Sequence, residues 1–217
     1  YIADEYLTDL SRSNVFNYDQ DIYAGYLQLS ATVKKWGFKG GVRYEHTKLE
    51  GGIGDNSSSV SNEYENYIPT ATVSYTRATK FSLKLSYTQR IQRPGLTYLN
   101  PYVNQSDVSN ISYGNPKLSA EKSQSFEFGW NWFRKFGSIN TSVYHRFTNN
   151  AIEGIRFVDT NDVYVSTYDK KKKNYSTGAS IGLNVMWKMK VFMGSNFNIY
   201  YYKVESTGLT TELQNDG

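Results

Sequence analysis

Residues 81–90 read FSLKLSYTQR, and their alternation decides the fold. Phe81, Leu83, Leu85 and Tyr87 fall on one side of an extended chain, while Ser82, Lys84, Ser86, Thr88 and Arg90 fall on the other. Successive strand side chains point to opposite faces, so this segment has an apolar face and a polar one. A helical period would not separate the same residues. Residues 123–132, SQSFEFGWNW, repeat the pattern: Phe126, Phe128, Trp130 and Trp132 oppose Ser125, Glu127, Gly129 and Asn131.

Working outward, the same split recurs in AGYLQLSATV (24–33), FKGGVRYEHT (38–47), IPTATVSYT (68–76), INTSVYHRF (139–147), TGASIGLNVMW (177–187) and FNIYYYKV (197–204). Leu27, Leu29 and Val33 share one face, as do Phe38, Val42 and Tyr44, then Ala71, Val73 and Tyr75, and finally Phe197, Ile199 and Tyr201. This reading predicts about eight strands, each near the 9–11 residues that cross a bilayer when tilted.

The connections sort into two classes. Tight turns are expected at KKWG (34–37), RATK (77–80), FRKFG (133–137) and WKMK (187–190). Long loops are expected at 48–66, 91–120 and 148–174. Every long connection then lies at one end of the sheet, as in outer-membrane barrels with short periplasmic turns and long extracellular loops. Within 148–174, AIEGIRFV and VYVSTY flank DTND, a turn built from Asp and Asn, so two strands are expected to continue as a tall hairpin.

Composition is compatible with that architecture. No run approaches the roughly 18 apolar residues of a membrane helix, but barrel strands alternate and escape average hydropathy. Tyr23, Tyr44, Tyr75, Tyr87, Trp132, Trp187 and Tyr201 lie near strand ends, where interfacial girdles belong. With Cys 0, no disulfide or cysteine-ligated metal can stabilise the chain. The net charge of +4 is modest, and Lys170–Lys173 reads as a solvated loop tip rather than a nucleic-acid patch, so no nucleic-acid partner is expected. His46 and His145 have no metal-ligand spacing, and by strand parity both face the lipid side. Zinc-protease, nucleophile-elbow, P-loop and EF-hand patterns do not occur, and GGIGD at 51–55 lacks a strand–turn–helix context. Neither catalysis nor a cofactor or metal is expected. The start at Tyr1 and the polar TTELQNDG ending read as cuts through a longer polypeptide.

RIQRPGLTYLNPY (90–102) and ISYGNPKLSAEKSQSFEFGW (111–130) resemble the barrel of TonB-dependent outer-membrane receptors, in particular the outer-membrane β-barrel family common in Bacteroidetes. Arg93-Pro94, Leu99-Asn100-Pro101, Gly114-Asn115-Pro116, Leu118, Glu121, Glu127 and Gly129 match, whereas Ala120 stands where the family usually has proline. GGVRYEHT (40–47) and YDKKKKNYSTGASIGLNV (168–185) agree more loosely, with Lys170 where an Asn is usual. The resemblance implies that residues 1–217 are part of one transmembrane barrel domain of about 22 strands. It also implies a plug domain and closing strands outside this chain, a TonB complex as partner through that plug, and a surface lipoprotein lid.

On that basis the 91–120 loop is extracellular, and Tyr98, Asn100, Tyr102, Asn104, Asn110 and Tyr113 are candidate ligand contacts. Tyr offers large contact area at low conformational cost, and Asn adaptable hydrogen bonds. The alternative is a loop that packs on its neighbours and shields the mouth. Arg43, Glu45, Lys84, Arg90, Glu127 and Arg146 fall on the polar face, which lines the lumen of a barrel. Three functions stay open: a transporter barrel importing a glycan, siderophore or peptide; a self-contained eight-stranded barrel acting as adhesin or structural protein; and a soluble carbohydrate-binding β-sandwich.

Overall fold

The computed structural model describes residues 15–53, 58–77, 80–187 and 191–206. Eight long strands form its frame: β1 (Phe16–Val33), β2 (Trp36–Ile53), β3 (Ser58–Arg77), β4 (Phe81–Gln92), β7 (Glu121–Arg134), β8 (Gly137–Val158), β9 (Tyr164–Trp187) and β10 (Val191–Ser206). Between β4 and β7 lie a single helical turn, α1 (Leu96–Leu99), and two short strands, β5 (Asn104–Asp107) and β6 (Asn110–Ser112). The long strands pair antiparallel with their sequence neighbours, and β6 docks in parallel on β9.

The register carries the sequence alternation across the whole sheet. Ala31, Phe38, Val73, Leu85, Phe128, Val143, Ala179 and Ile199 stand opposite one another from β1 to β10, an apolar row crossing all eight long strands. One step along lies a row of opposite character: Ser30, Lys39, Thr72, Ser86, Glu127, Tyr144, Gly178 and Tyr200. Among the described residues no second layer covers the apolar face. Leu85 is 54% exposed and Ile199 76%. An uncovered apolar surface that spans an entire sheet is far larger than a water-soluble monomer sustains, and it suits lipid contact.

Aromatic side chains bracket that face. Near the short turns, Trp36 packs 4.9 Å from Tyr75, Phe81 lies 6.3 Å from Trp130, and the Arg134 guanidinium sits 4.5 Å over the Trp132 ring. Towards the loops, Tyr44 lies 5.2 Å from Tyr67 and Tyr87 lies 4.9 Å from Phe126. Trp36 and Tyr44 are eight positions apart on β2, as are Tyr67 and Tyr75 on β3. At about 3.3 Å per residue that is roughly 26 Å along the strand, or about 20 Å of height after tilting, near the apolar band of such barrels. Beyond the upper aromatics the same face turns ionic: His46 lies 3.1 Å from Glu63, Lys48 2.7 Å from Glu50 and Lys203 2.6 Å from Glu205. The change marks where lipid contact ends. Tyr23 and Tyr201 are exposed on the expected face, whereas the Trp187 side chain lies outside the described residues.

Three expectations are corrected. Residues 48–66 are not a long loop, because β2 and β3 stay paired up to Ile53 opposite Ser58, and only 54–57, outside the described residues, separate them. Lys170–Lys173 are not a loop tip but lie within β9, where Lys172 stands opposite Ala151 of β8 and Ser206 of β10, and Lys173 opposite Glu205 of β10. The sandwich is excluded, since one continuous sheet leaves its apolar face bare instead of packing it on a second sheet. Two expected tight turns are seen, at Lys34-Lys35 and Lys135-Phe136, Lys34 taking a left-handed φ of 54°. The other two include residues 78–79 and 188–190, which lie outside the described residues. The tall hairpin is present: β8 and β9 stay paired up to Val158 opposite Tyr164.

Candidate functional site

The loop between β4 and β7 is a folded unit that leans on the polar face. Leu99 and Leu118 are buried against Leu49 of β2, with Tyr18, Ile152 and Tyr168 packed around them. Arg93, just before α1, pairs with the buried carboxylate of Glu45, whose other oxygen accepts from Arg43 Nε at 2.5 Å. A carboxylate so enclosed needs both guanidinium partners, and together they fasten the start of the loop to β2.

The resembling motif now has a physical explanation. Gly114 sits where a Cβ would lie 2.6 Å from the Asn100 carbonyl oxygen and 2.7 Å from that of Tyr98, so only glycine lets the chain pass so close to α1. Its amide donates to the Asn100 carbonyl at 2.8 Å. Asn115 donates from Nδ2 to the Tyr168 carbonyl at 2.9 Å and accepts the Lys117 amide at 3.0 Å, tying the segment to β9 and shaping its turn. Asn62 of β3 donates to the carbonyls of Pro116 and Leu118. Glu121 accepts the Ile152 amide at 2.7 Å, where the β8–β9 register shifts between Thr148 and Glu153. Lys170, at the position that departs from the family's usual Asn, donates to Ser119 Oγ and the Ala120 carbonyl, both at 2.9 Å. Burial pushes its ammonium below the usual lysine range, and Glu121 opposes the shift.

Beside this core the loop and the tall hairpin enclose a cleft of about 460 Å³. Four of the six candidate ligand residues line it: Asn100, Tyr102, Asn104 and Tyr113. The other two sit beside it. The Tyr98 ring lies tilted 4.6 Å from that of Tyr168, itself a lining residue, and Asn110 donates to Asp107 Oδ2 at 3.2 Å. The Ser109 amide and then the Asn110 carboxamide, both donating to Asp107, hold its carboxyl below the usual range. The opposite wall includes Arg156, Ser166, Thr167 and Tyr168, none of them legible as site residues because no local pattern says that β6 will dock on β9.

Arg90, Glu127 and Arg146 converge with Ser86, Thr88, Ser123 and Ser125 around a small cavity of about 100 Å³. Lys84 stands exposed between Ser74 and Gly129. Arg43 and Glu45 join the loop's anchor instead. His46 and His145 fall where parity puts them, His145 bonding Thr177 Oγ1 at 2.7 Å. Among the described residues no group of His, Asp or Glu has the form of a metal site.

This architecture is found in solved outer-membrane structures. The FrpB iron transporter from Neisseria meningitidis (F3-3 variant) superposes with a TM-score of 0.66 at 15% identity, covering 87% of this chain and 27% of that one. The alcaligin receptor FauA from Bordetella pertussis gives 0.60 at 15% identity, with 89% and 32% covered. The ferric yersiniabactin uptake receptor FyuA from Yersinia pestis gives 0.61 at 14% identity, with 90% and 29% covered. The chain thus spans about a quarter to a third of the length of these three proteins. No curated protein matches it. The sequence model described as the outer membrane protein beta-barrel family matches residues 1–217, and with the lipid-suited sheet already in view, the chain belongs to that family and resides in the outer membrane of a Gram-negative cell.

Proposed function

We propose that this chain is part of the barrel of a TonB-dependent transporter that imports a bulky nutrient: a glycan, a siderophore or a peptide. The observation that carries the reading is the folded β4–β7 loop. It leans over the polar face and builds a cleft with the tall hairpin at the extracellular end, where an incoming ligand arrives. The similar solved structures, an iron transporter, an alcaligin receptor and a ferric yersiniabactin uptake receptor, support transport as the use of such a wall.

In this reading Arg43, Glu45, Lys84, Arg90, Glu127 and Arg146 face the lumen. The barrel has about 22 strands, wide enough to need a plug. Among the described residues β1 and β10 do not pair with each other, which favours a larger barrel over an eight-stranded one, since backbone groups at an open edge go unsatisfied in lipid. TonB acts through the plug. The six loop residues named above contact the ligand before it passes inward.

The test compares cells with and without the full-length protein for growth on glycans, ferric siderophores or peptides as the limiting nutrient, each with and without a working TonB system. Growth on at least one nutrient should require both. If no nutrient depends on the protein, transport falls and a structural or adhesive barrel takes its place.

A further inference from the structure

The cleft between the β4–β7 loop and the tall hairpin is rich in donors and holds no carboxylate. Arg156 is the one charged residue in its lining. Its Nε donates to Ser166 Oγ and its Nη2 to Asn110 Oδ1, both at 3.3 Å, and its guanidinium sits 5.8 Å over the Tyr164 ring. These oxygens are neutral, and both bonds are long. A guanidinium presents five donors in a planar fork suited to a carboxylate, and such charge-assisted bonds are shorter and stronger than these.

The register places Arg156 opposite Ser166, and Ser166 opposite Ser112, so a polar row crosses β8, β9 and β6 at the cleft. The facing wall adds two carboxamides whose oxygens are already engaged. Asn100 Oδ1 accepts the Tyr102 amide at 3.0 Å, and Asn104 Oδ1 accepts the Ser106 amide at 3.0 Å and its hydroxyl at 2.7 Å. Asn104 Oδ1 thus has both lone pairs engaged and Asn100 Oδ1 one, which leaves mainly the NH2 groups to meet a ligand. Tyr113 and Tyr168 add aromatic area to the lining.

We infer that this cleft selects a carboxylate-bearing, hydroxyl-rich ligand, with Arg156 as the anion contact. The inference rests on the import reading and sharpens it. Two sources share that chemistry: an acidic oligosaccharide and a hydroxycarboxylate metal chelate. A neutral oligosaccharide or an apolar peptide would leave the guanidinium with its weak internal bonds.

The experiment is calorimetric titration of the full-length protein in detergent with tetragalacturonate, neutral galactotetraose and ferric citrate. At least one carboxylate probe should bind, more tightly than galactotetraose and less tightly as salt rises. Arg156→Gln should weaken it by about tenfold or more, and Arg156→Lys should fall between, since it keeps the charge without the fork. Unchanged heat-modifiable migration of both variants separates lost binding from lost folding; Arg156 is exposed, so folding should persist. Tetragalacturonate binding alone assigns a glycan source, and ferric citrate binding alone a chelate source. Binding by neither carboxylate, or binding indifferent to Arg156→Gln, overturns the inference. If the nutrient panel still depends on the protein, import then stands with its anion selector elsewhere; if the panel fails too, both readings fall.

Discussion

Leu85 and Gly114 show how much one side chain decides here. Leu85 lies in the apolar row, between Val73 and Phe128, and faces lipid. An arginine facing lipid costs about 2–4 kcal/mol near the bilayer midplane. Leu85→Arg should therefore lower the amount of folded, heat-modifiable protein in the outer membrane, while Ser86→Arg, one step along on the polar face, should not. Equal assembly of the two would reverse the assignment of faces. Gly114→Ala acts by crowding. Its new methyl would meet two carbonyl oxygens well inside contact distance, and overpacking of this kind costs about 1–3 kcal/mol. Expected is a normally inserted protein whose β4–β7 loop is cleaved faster by external protease.

Among the elements, the tall β8–β9 hairpin depends on its tip. Asp159 accepts the amides of Asn161 at 2.8 Å and Val163 at 3.0 Å, and Asp162 closes the turn with a left-handed φ of 58°, a conformation Asp tolerates. The Val163 amide and then that of Asn161 hold the Asp159 carboxyl below its ordinary value. A carboxylate depressed by folding stabilises the turn fully above its unfolded value of about 3.9, and that support is lost as pH falls through the lower folded value. Pepsin cleavage near residues 159–163 should rise across that acidic window. Asp159→Asn, which keeps an accepting oxygen at every pH, should show a flatter profile; matching profiles would remove Asp159 as the cause.

Across residues 1–217 as a whole, the absence of cysteine makes the two faces directly measurable. Single cysteines at Val73, Phe128, Val143 or Ile199 should carry a fluorophore that lipid-borne quenchers reach, and those at Ser86, Thr72 or Ser30 should carry one that they do not. Mixed results along either row would break the register. This two-sided sheet was legible because period-two alternation is local, and so was the parity of Arg90, Glu127 and Arg146. The folded loop was not. Leu99 finds Leu49 and Leu118 through contacts distant in sequence, and the loop's Asn-, Gly- and Pro-rich composition hides how many of its polar groups secure its own shape. Arg156 is illegible for the same reason: its partners come from β6 and β9, and no spacing along the chain announces them. The tyrosines and asparagines of the loop were legible by composition, but whether each lines the cleft or stands beside it depends on the docking of α1.

The parallel docking of β6 on β9 has one more consequence. Tyr164 donates to the Ser109 carbonyl and Tyr113 to that of Ser166, so β6 occupies the flank that the outer part of β9 turns away from β8. Without that cover, a stretch of unpaired strand would project above the cell surface, ready to accept any extended peptide or a neighbouring receptor as its next strand. The β4–β7 loop thus also caps that edge of β9 with a strand of its own chain.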